Sequence, residues 1–214
     1  MLKLSTSQFN RRITSIIMTN LHIKKRIVIT GGPGGGKTTA LDLIRREFNG
    51  RIASVPESAT MIFSGGIERA SNNSVLKTQQ AAIFNLQKHL EDIQRATYPE
   101  CLVLCDRGTL DGLAYWPGTE ENFFKQMNTS IEEEFSRYDA VIFFETAAKS
   151  GESIRSNNPI RNESETAAIK LDKKLQQIWS KHPNFNLVGS SESFIRKVMF
   201  GIMTIENVIG QYDK

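Results

Sequence analysis

The stretch Arg26-Ile27-Val28-Ile29-Thr30-Gly31-Gly32-Pro33-Gly34-Gly35-Gly36-Lys37-Thr38-Thr39 decides the fold. Its first five residues are a β-branched run that ends at a glycine cluster. Leu41, Ile44 and Phe48 then recur at helical spacing, so the stretch reads strand, loop, helix. Gly31, Gly36, Lys37 and Thr38 fill every fixed position of G-x-x-x-x-G-K-[ST]. A loop that wraps a phosphate must turn successive backbone N–H groups inward, and side chains would block that approach. The helix behind it adds unpaired N–H groups and the positive end of its dipole. Gly31, Gly32, Pro33, Gly34, Gly35, Gly36, Lys37, Thr38 and Thr39 are therefore the candidate phosphate cradle. Lys37 can bridge the terminal phosphates, and Thr38 can place its hydroxyl on Mg²⁺. The motif calls for a nucleoside triphosphate. It does not choose among kinase, GTPase, ATPase and motor.

Working outward, Arg51–Val55, Cys101–Cys105, Ala140–Phe144 and Phe185–Val188 are further short apolar runs. Such runs suit strands covered on both faces of a parallel sheet. Helical patterns separate them. Leu76, Ile83, Leu86, Leu90 and Ile93 form one stripe, and Ile195, Val198, Ile202, Ile205 and Ile209 another. Thr129 with Glu132, and Asn162 with Glu165, have capping-box spacing. The alternation predicts an α/β fold with a parallel sheet and right-handed crossovers. Polar, glycine-bearing stretches at 64–74 and 150–164 read as loops able to move.

The chain has 214 residues, enough for one domain. No run approaches the ~20 apolar residues of a membrane helix. Residues 1–41 hold seven basic side chains and no acid, and the remainder carries 20 basic against 23 acidic. The net charge of +4 is thus local to the N-terminus and gives no general footprint for nucleic acid. Residues 1–24 form a basic arm with an apolar stripe at Leu2, Phe9, Ile13, Ile16 and Ile17. It reads as a disordered extension, as sequence upstream of a true start at Met18, or as a transit peptide. Residues 25–214 form the single domain. Cys101 and Cys105, four apart on one strand, lie ~13 Å from each other, beyond disulfide reach. They read as reduced cysteines in a reducing, cytoplasmic compartment, or a mitochondrial one if the arm is a transit peptide. His22, His89 and His182 are scattered and give no metal-ligand spacing.

Three constellations narrow the chemistry. Asp106 and Arg107 directly follow the third strand run, in Cys-Asp-Arg-Gly. A carboxylate there can hold the Mg²⁺ shell or take a proton from a substrate hydroxyl, and Arg107 can fork onto a substrate oxygen. The plainer reading is a turn with a surface ion pair. Glu57 follows the second strand, where ligands of an open parallel sheet sit, and is a candidate general base. It can equally be an acid favoured by a helix dipole. Arg155 and Arg161 lie in a polar segment that can close over the γ-phosphate or stay solvated. Tyr115 and Trp116 either stack on a flat acceptor or pack under a loop.

GGPGGGKTT, VPESA, LVLCDRGTLDGLAYW and NNPIRNE together resemble a small AAA-like P-loop family that includes the nicotinamide-riboside kinase domain of the bacterial NadR regulator. More distantly the chain is similar to nucleoside and nucleoside-monophosphate kinases. The resemblance runs from residue 25 to about 210. It implies a three-layer α/β/α P-loop NTPase fold whose five parallel strands are ordered 2-3-1-4-5, with a lid segment. It also implies that Lys37 and Thr38 serve phosphate and Mg²⁺, that Glu57 or Asp106 faces the acceptor, and that Arg155 or Arg161 belongs to the lid. No stretch resembles a nucleotidyltransferase, and no Asn-Lys-x-Asp run reads guanine. The leading expectation is an ATP- and Mg²⁺-dependent kinase for a small hydroxylated acceptor. The alternative is a nucleotide-dependent switch or NTPase, using ATP or GTP, that controls a partner. A second concave pocket lined by Glu57, Asp106, Arg107 and Trp116 would favour the kinase.

Overall fold

The structure, a computed structural model, describes residues 25–48, 50–70, 72–150, 165–191 and 193–211. The arm at 1–24 and Arg155 and Arg161 of the expected lid lie outside the described residues. The elements are β1 (Arg26–Thr30), α1 (Lys37–Glu47), β2 (Ile52–Val55), α2 (Ser58–Ser64), α3 (Asn73–Thr97) and β3 (Leu102–Asp106). A 3-10 helix (Thr109–Tyr115) leads to α4 (Glu120–Met127), α5 (Ile131–Ser136) and β4 (Ala140–Phe144). After a 3-10 turn at Ala147–Ser150 come α6 (Glu165–Trp179), β5 (Phe185–Val188) and α7 (Phe194–Gln211).

The five strands form one sheet in the order β2-β3-β1-β4-β5, with every pairing parallel. Successive side chains of a strand point to opposite faces, and the core divides accordingly. Ile27, Ile29, Leu104, Ile142 and Phe144 meet α1 and α7 on one face. Val28, Val103, Cys105, Val141 and Phe143 meet Phe84 of α3 and Leu175 and Trp179 of α6 on the other. Helices on both faces bury β4 at all five positions. The edge strands β2 and β5 are only partly covered, so their runs are apolar without being fully enclosed. Cys105 is buried and Cys101 half-buried, and both are free thiols.

Two local expectations shift. The capping box of α5 is Ser130 with Glu133, one residue beyond Thr129 and Glu132. The buried face of α3 is not the expected leucine and isoleucine stripe, for Ile93 is exposed. The inward residues are Gln79, Gln80, Phe84, Gln87 and Glu91. Gln79 bonds the backbone of Glu68 and Ala70, and Gln80, Gln87 and Glu91 are polar because α3 covers two polar features: the cleft described below and a buried charge cluster. In that cluster Glu91 accepts from Arg26 (2.7 Å), Arg137 (2.8 Å) and the Tyr138 hydroxyl (2.7 Å). A buried carboxylate is tolerated when it is so fully bonded.

Candidate functional site

The C-terminal ends of β1, β3 and β4 carry the site. β1 feeds directly into the loop 31–36, and Gly36, at φ +87°, turns it into α1. Gly31 has φ +128°, and a Cβ there would strike the backbone carbonyl of Phe144 at the end of β4. At Gly32 a Cβ would meet the Asp172 carboxylate at 2.6 Å. The glycines are therefore dictated by the neighbouring backbone as well as by any ligand.

Lys37 is 4% exposed, and its ammonium donates to the Gly32 carbonyl (2.6 Å) across the mouth of the loop. The Thr38 hydroxyl donates to Asp106 Oδ2 at 3.3 Å, so the two residues expected at Mg²⁺ stand together. One hydroxyl and one carboxylate are hard oxygen donors. They fit an ion that prefers octahedral oxygen and keeps waters and substrate phosphates as its remaining ligands. Among the described residues no group of three or more His, Cys, Asp or Glu could hold a metal.

Arg107 does not form a surface ion pair. It is 6% exposed and buried at the head of β3. Its guanidinium donates to Glu57 Oε1 (3.2 Å), Asp111 Oδ2 (3.1 Å) and the Gly31 carbonyl (2.6 Å). Burial alone would lower its pKa. The carboxylates of Glu57 and Asp111 outweigh that and hold it above the ordinary arginine value. Its backbone sits at φ +79°, a conformation that costs a non-glycine residue about 1–3 kcal/mol. Two bonds hold it there: its N–H donates to the Ile29 carbonyl, and its carbonyl accepts from the Gln87 amide (both 3.0 Å). The strain aims the side chain back over the loop.

Glu57 ends the β2–α2 link as the residue before α2. Besides Arg107, its carboxylate accepts from the Thr60 hydroxyl at 2.6 Å. Beside it opens a cleft lined by Pro33, Glu57, Phe63, Arg69, Gln80, Arg107, Asp111 and Tyr115. The cleft is the second pocket the sequence reading asked for, with two changes. Asp106 faces Thr38 instead. Trp116 is turned into the core against Phe123, ring centroids 5.3 Å apart, so it packs and does not stack on a ligand. Tyr115 lines the wall in its place.

Several residues escaped the sequence reading. Asp111 accepts from the Thr30 hydroxyl (2.8 Å), the Trp179 indole N–H (2.7 Å) and Arg107. Asp172 of α6 is fully buried, and its Oδ1 accepts from the N–H groups of Gly32 and Thr146, each at 2.9 Å. The Thr146 hydroxyl in turn donates to the Pro33 carbonyl at 2.7 Å. Asp172 and Trp179 are seven apart, on one face of α6. That helix therefore holds the phosphate loop with one residue and the Asp111–Arg107–Glu57 chain with the other. The signal was available: an acid and a tryptophan two turns apart on an otherwise apolar helical stripe. Gln80 is 5% exposed and lines the cleft, and its amide makes no hydrogen bond among the described residues. Its only sequence signal was an amide on the face of α3 that turned inward. Lys197, also buried, donates to the Glu145 carbonyl just past β4.

No curated protein matches the chain. Two solved structures of deoxyadenosine kinase from M. mycoides do. The one with bound dATP is 18% identical, covers 86% of this chain and 99% of its own, and has a TM-score of 0.56. The one with the products dCMP and a flexible dCDP bound is 15% identical, covers 85% and 98%, and has a TM-score of 0.55. At such identities the likeness speaks for the fold. Neither structure is a nicotinamide-riboside kinase, and that finer part of the resemblance is not confirmed by them. A family model described as an AAA domain matches residues 26–192, from the first residue of β1 to the link between β5 and α7. The phosphate loop, Glu57, the Asp106–Arg107 turn and Asp172 all fall inside that span, and the chain belongs to this AAA domain family.

Proposed function

We propose that the protein is a kinase that binds ATP with Mg²⁺ and transfers the γ-phosphoryl group to a small hydroxylated, nucleoside-like acceptor. One observation carries the reading. The phosphate loop and the Glu57 cleft share a wall, because Arg107 bonds Glu57 and the Gly31 carbonyl with one guanidinium. A switch needs a triphosphate site alone. A transferase needs an acceptor within reach of the γ-phosphate, with a base beside it.

In this reading the loop N–H groups and Lys37 hold the triphosphate, and Lys37 exchanges the Gly32 carbonyl for phosphate oxygens. Thr38 and Asp106 hold Mg²⁺, which supplies positive charge to the β- and γ-phosphates when bound. The acceptor lies in the cleft that Phe63 and Tyr115 line, and the Gln80 amide meets its polar edge. Glu57 takes the hydroxyl proton as the acceptor oxygen bonds the γ-phosphorus and the bridging P–O bond breaks. Arg107 keeps Glu57 aimed. Arg161, and Arg155 with it, would bring further positive charge over the transferring group. Arg69 at the cleft mouth is a further cation for the acceptor.

The test is a panel of nucleosides, nucleotides and small alcohols incubated with ATP and Mg²⁺, scored for acceptor-dependent ADP release. Release with a particular acceptor, lost in Glu57→Gln with ATP binding retained, supports the kinase. Release that ignores every acceptor supports an NTPase or switch and overturns it.

A further inference from the structure

Helix α7 buries one face against the core, and large apolar side chains elsewhere on it are exposed among the described residues. Val198, Ile202, Ile205 and Ile209 pack into the core, together with α1 and β4. Of twelve exposed large apolar side chains among the described residues, five stand on α7: Phe194, Ile195, Met199, Phe200 and Met203. Ile195 is 74% exposed. A strip of that size on one helix marks an interaction site.

The strip has a register. Arg196, Met199, Met203, Glu206 and Gly210 follow one another at intervals of three, four, three and four residues, the a/d spacing of a two-helix seam. Its ends are oppositely charged. Arg196 makes no ion pair among the described residues, and neither does Glu206 nor its neighbour Glu47 on α1. Burial first, and Glu47 second, push the Glu206 carboxyl above its ordinary pKa. In an antiparallel pair of helices, a positions share layers with d positions. Two copies of α7 centred on Gly201 then match Arg196 to Glu206 and Met199 to Met203, twice over by symmetry. Residues 1–24 carry four basic side chains and no acid, so their charges complement Glu206 and not Arg196.

We propose that the chain forms a homodimer through antiparallel pairing of α7, with Arg196 against Glu206 of the partner subunit and Met199 against Met203 of the partner subunit. One helix face is smaller than the roughly 800 Å² per partner of a standard interface, so the association is expected in the micromolar range.

Sedimentation velocity of the full chain, from about 5 to 200 μM at low salt, tests it. The expected result is a concentration-dependent species at twice the 24.1 kDa chain mass. Met199→Glu with Met203→Glu leaves a monomer whose thermal midpoint matches the parent's at concentrations too low for the parent to associate. Arg196→Glu alone and Glu206→Arg alone each weaken association by about tenfold or more, and the double swap restores it. The restoration requires the antiparallel register and would not follow from mere loss of fold. A chain at monomer mass throughout overturns the proposal, whatever else covers the strip. So does a dimer indifferent to the methionine changes, or a double swap without rescue.

Discussion

Arg107 is where local strain and buried charge meet. Its left-handed backbone and its three bonds make it the joint between Glu57, Asp111 and the phosphate loop. Asp111→Asn keeps the shape but removes the charge that opposes Arg107. Loss of one partner of a buried pair destabilises by about 3–5 kcal/mol when nothing replaces it, and less when an amide still bonds. The variant is expected to lose acceptor-dependent turnover at least tenfold and to unfold several degrees lower, while ATP affinity changes little. Calorimetry and the coupled ADP assay check this, and unchanged turnover would remove Arg107 from the acceptor side. Lys37→Ala acts on the other side. Its ammonium has no substitute in the loop, so triphosphate affinity is expected to fall at least a hundredfold with circular dichroism unchanged. Equilibrium binding of a fluorescent ATP analogue measures it.

At the scale of elements, α6 is the piece to perturb. Asp172 bonds the amides of Gly32 and Thr146, and Trp179, two turns on, bonds Asp111. Trp179→Phe retains the ring packing and deletes one hydrogen bond to a buried carboxylate, a loss of about 1.5–3 kcal/mol. It is expected to raise the acceptor KM more than the ATP KM. Asp172→Asn should reverse the bias, because its bonds hold the donor loop. Equal effects of both variants on both substrates would mean that α6 supports the fold and does not divide its work. Steady-state kinetics with each substrate varied in turn decide the point.

For the molecule as a whole, the prediction concerns linkage. A ligand that binds only the folded chain, at a hundred times its Kd, adds about 2.7 kcal/mol of stability. For a chain of this size that raises the thermal midpoint by about 5–10 °C. ATP with Mg²⁺ is expected to produce such a shift, and Lys37→Ala to abolish it. Differential scanning fluorimetry reads it directly, and the absence of any shift with both ATP and GTP would undo the triphosphate reading.

What the sequence determined by itself was local and repetitive. The glycines, Lys37 and Thr38 stand at fixed spacing because a backbone that wraps phosphate allows few substitutes. The strand runs were visible because a strand covered on both faces must be apolar throughout. Their order across the sheet came from the family resemblance, not from any spacing. Tertiary structure decided which faces and which partners. α3 turns Gln80, Gln87 and Glu91 inward against the pull of their polarity, because Gln80 faces a cleft while Gln87 and Glu91 find bonding partners at the head of β3 and in a charge cluster. Trp116 packs and Tyr115 lines the cleft, a choice between adjacent aromatics that no composition rule makes. Asp111 and Asp172 look like ordinary acids in the chain. They gain their roles only when residues 81 and 140 positions away, Thr30 and Gly32, fold against them, and a hydrogen bond across that separation leaves no periodic trace.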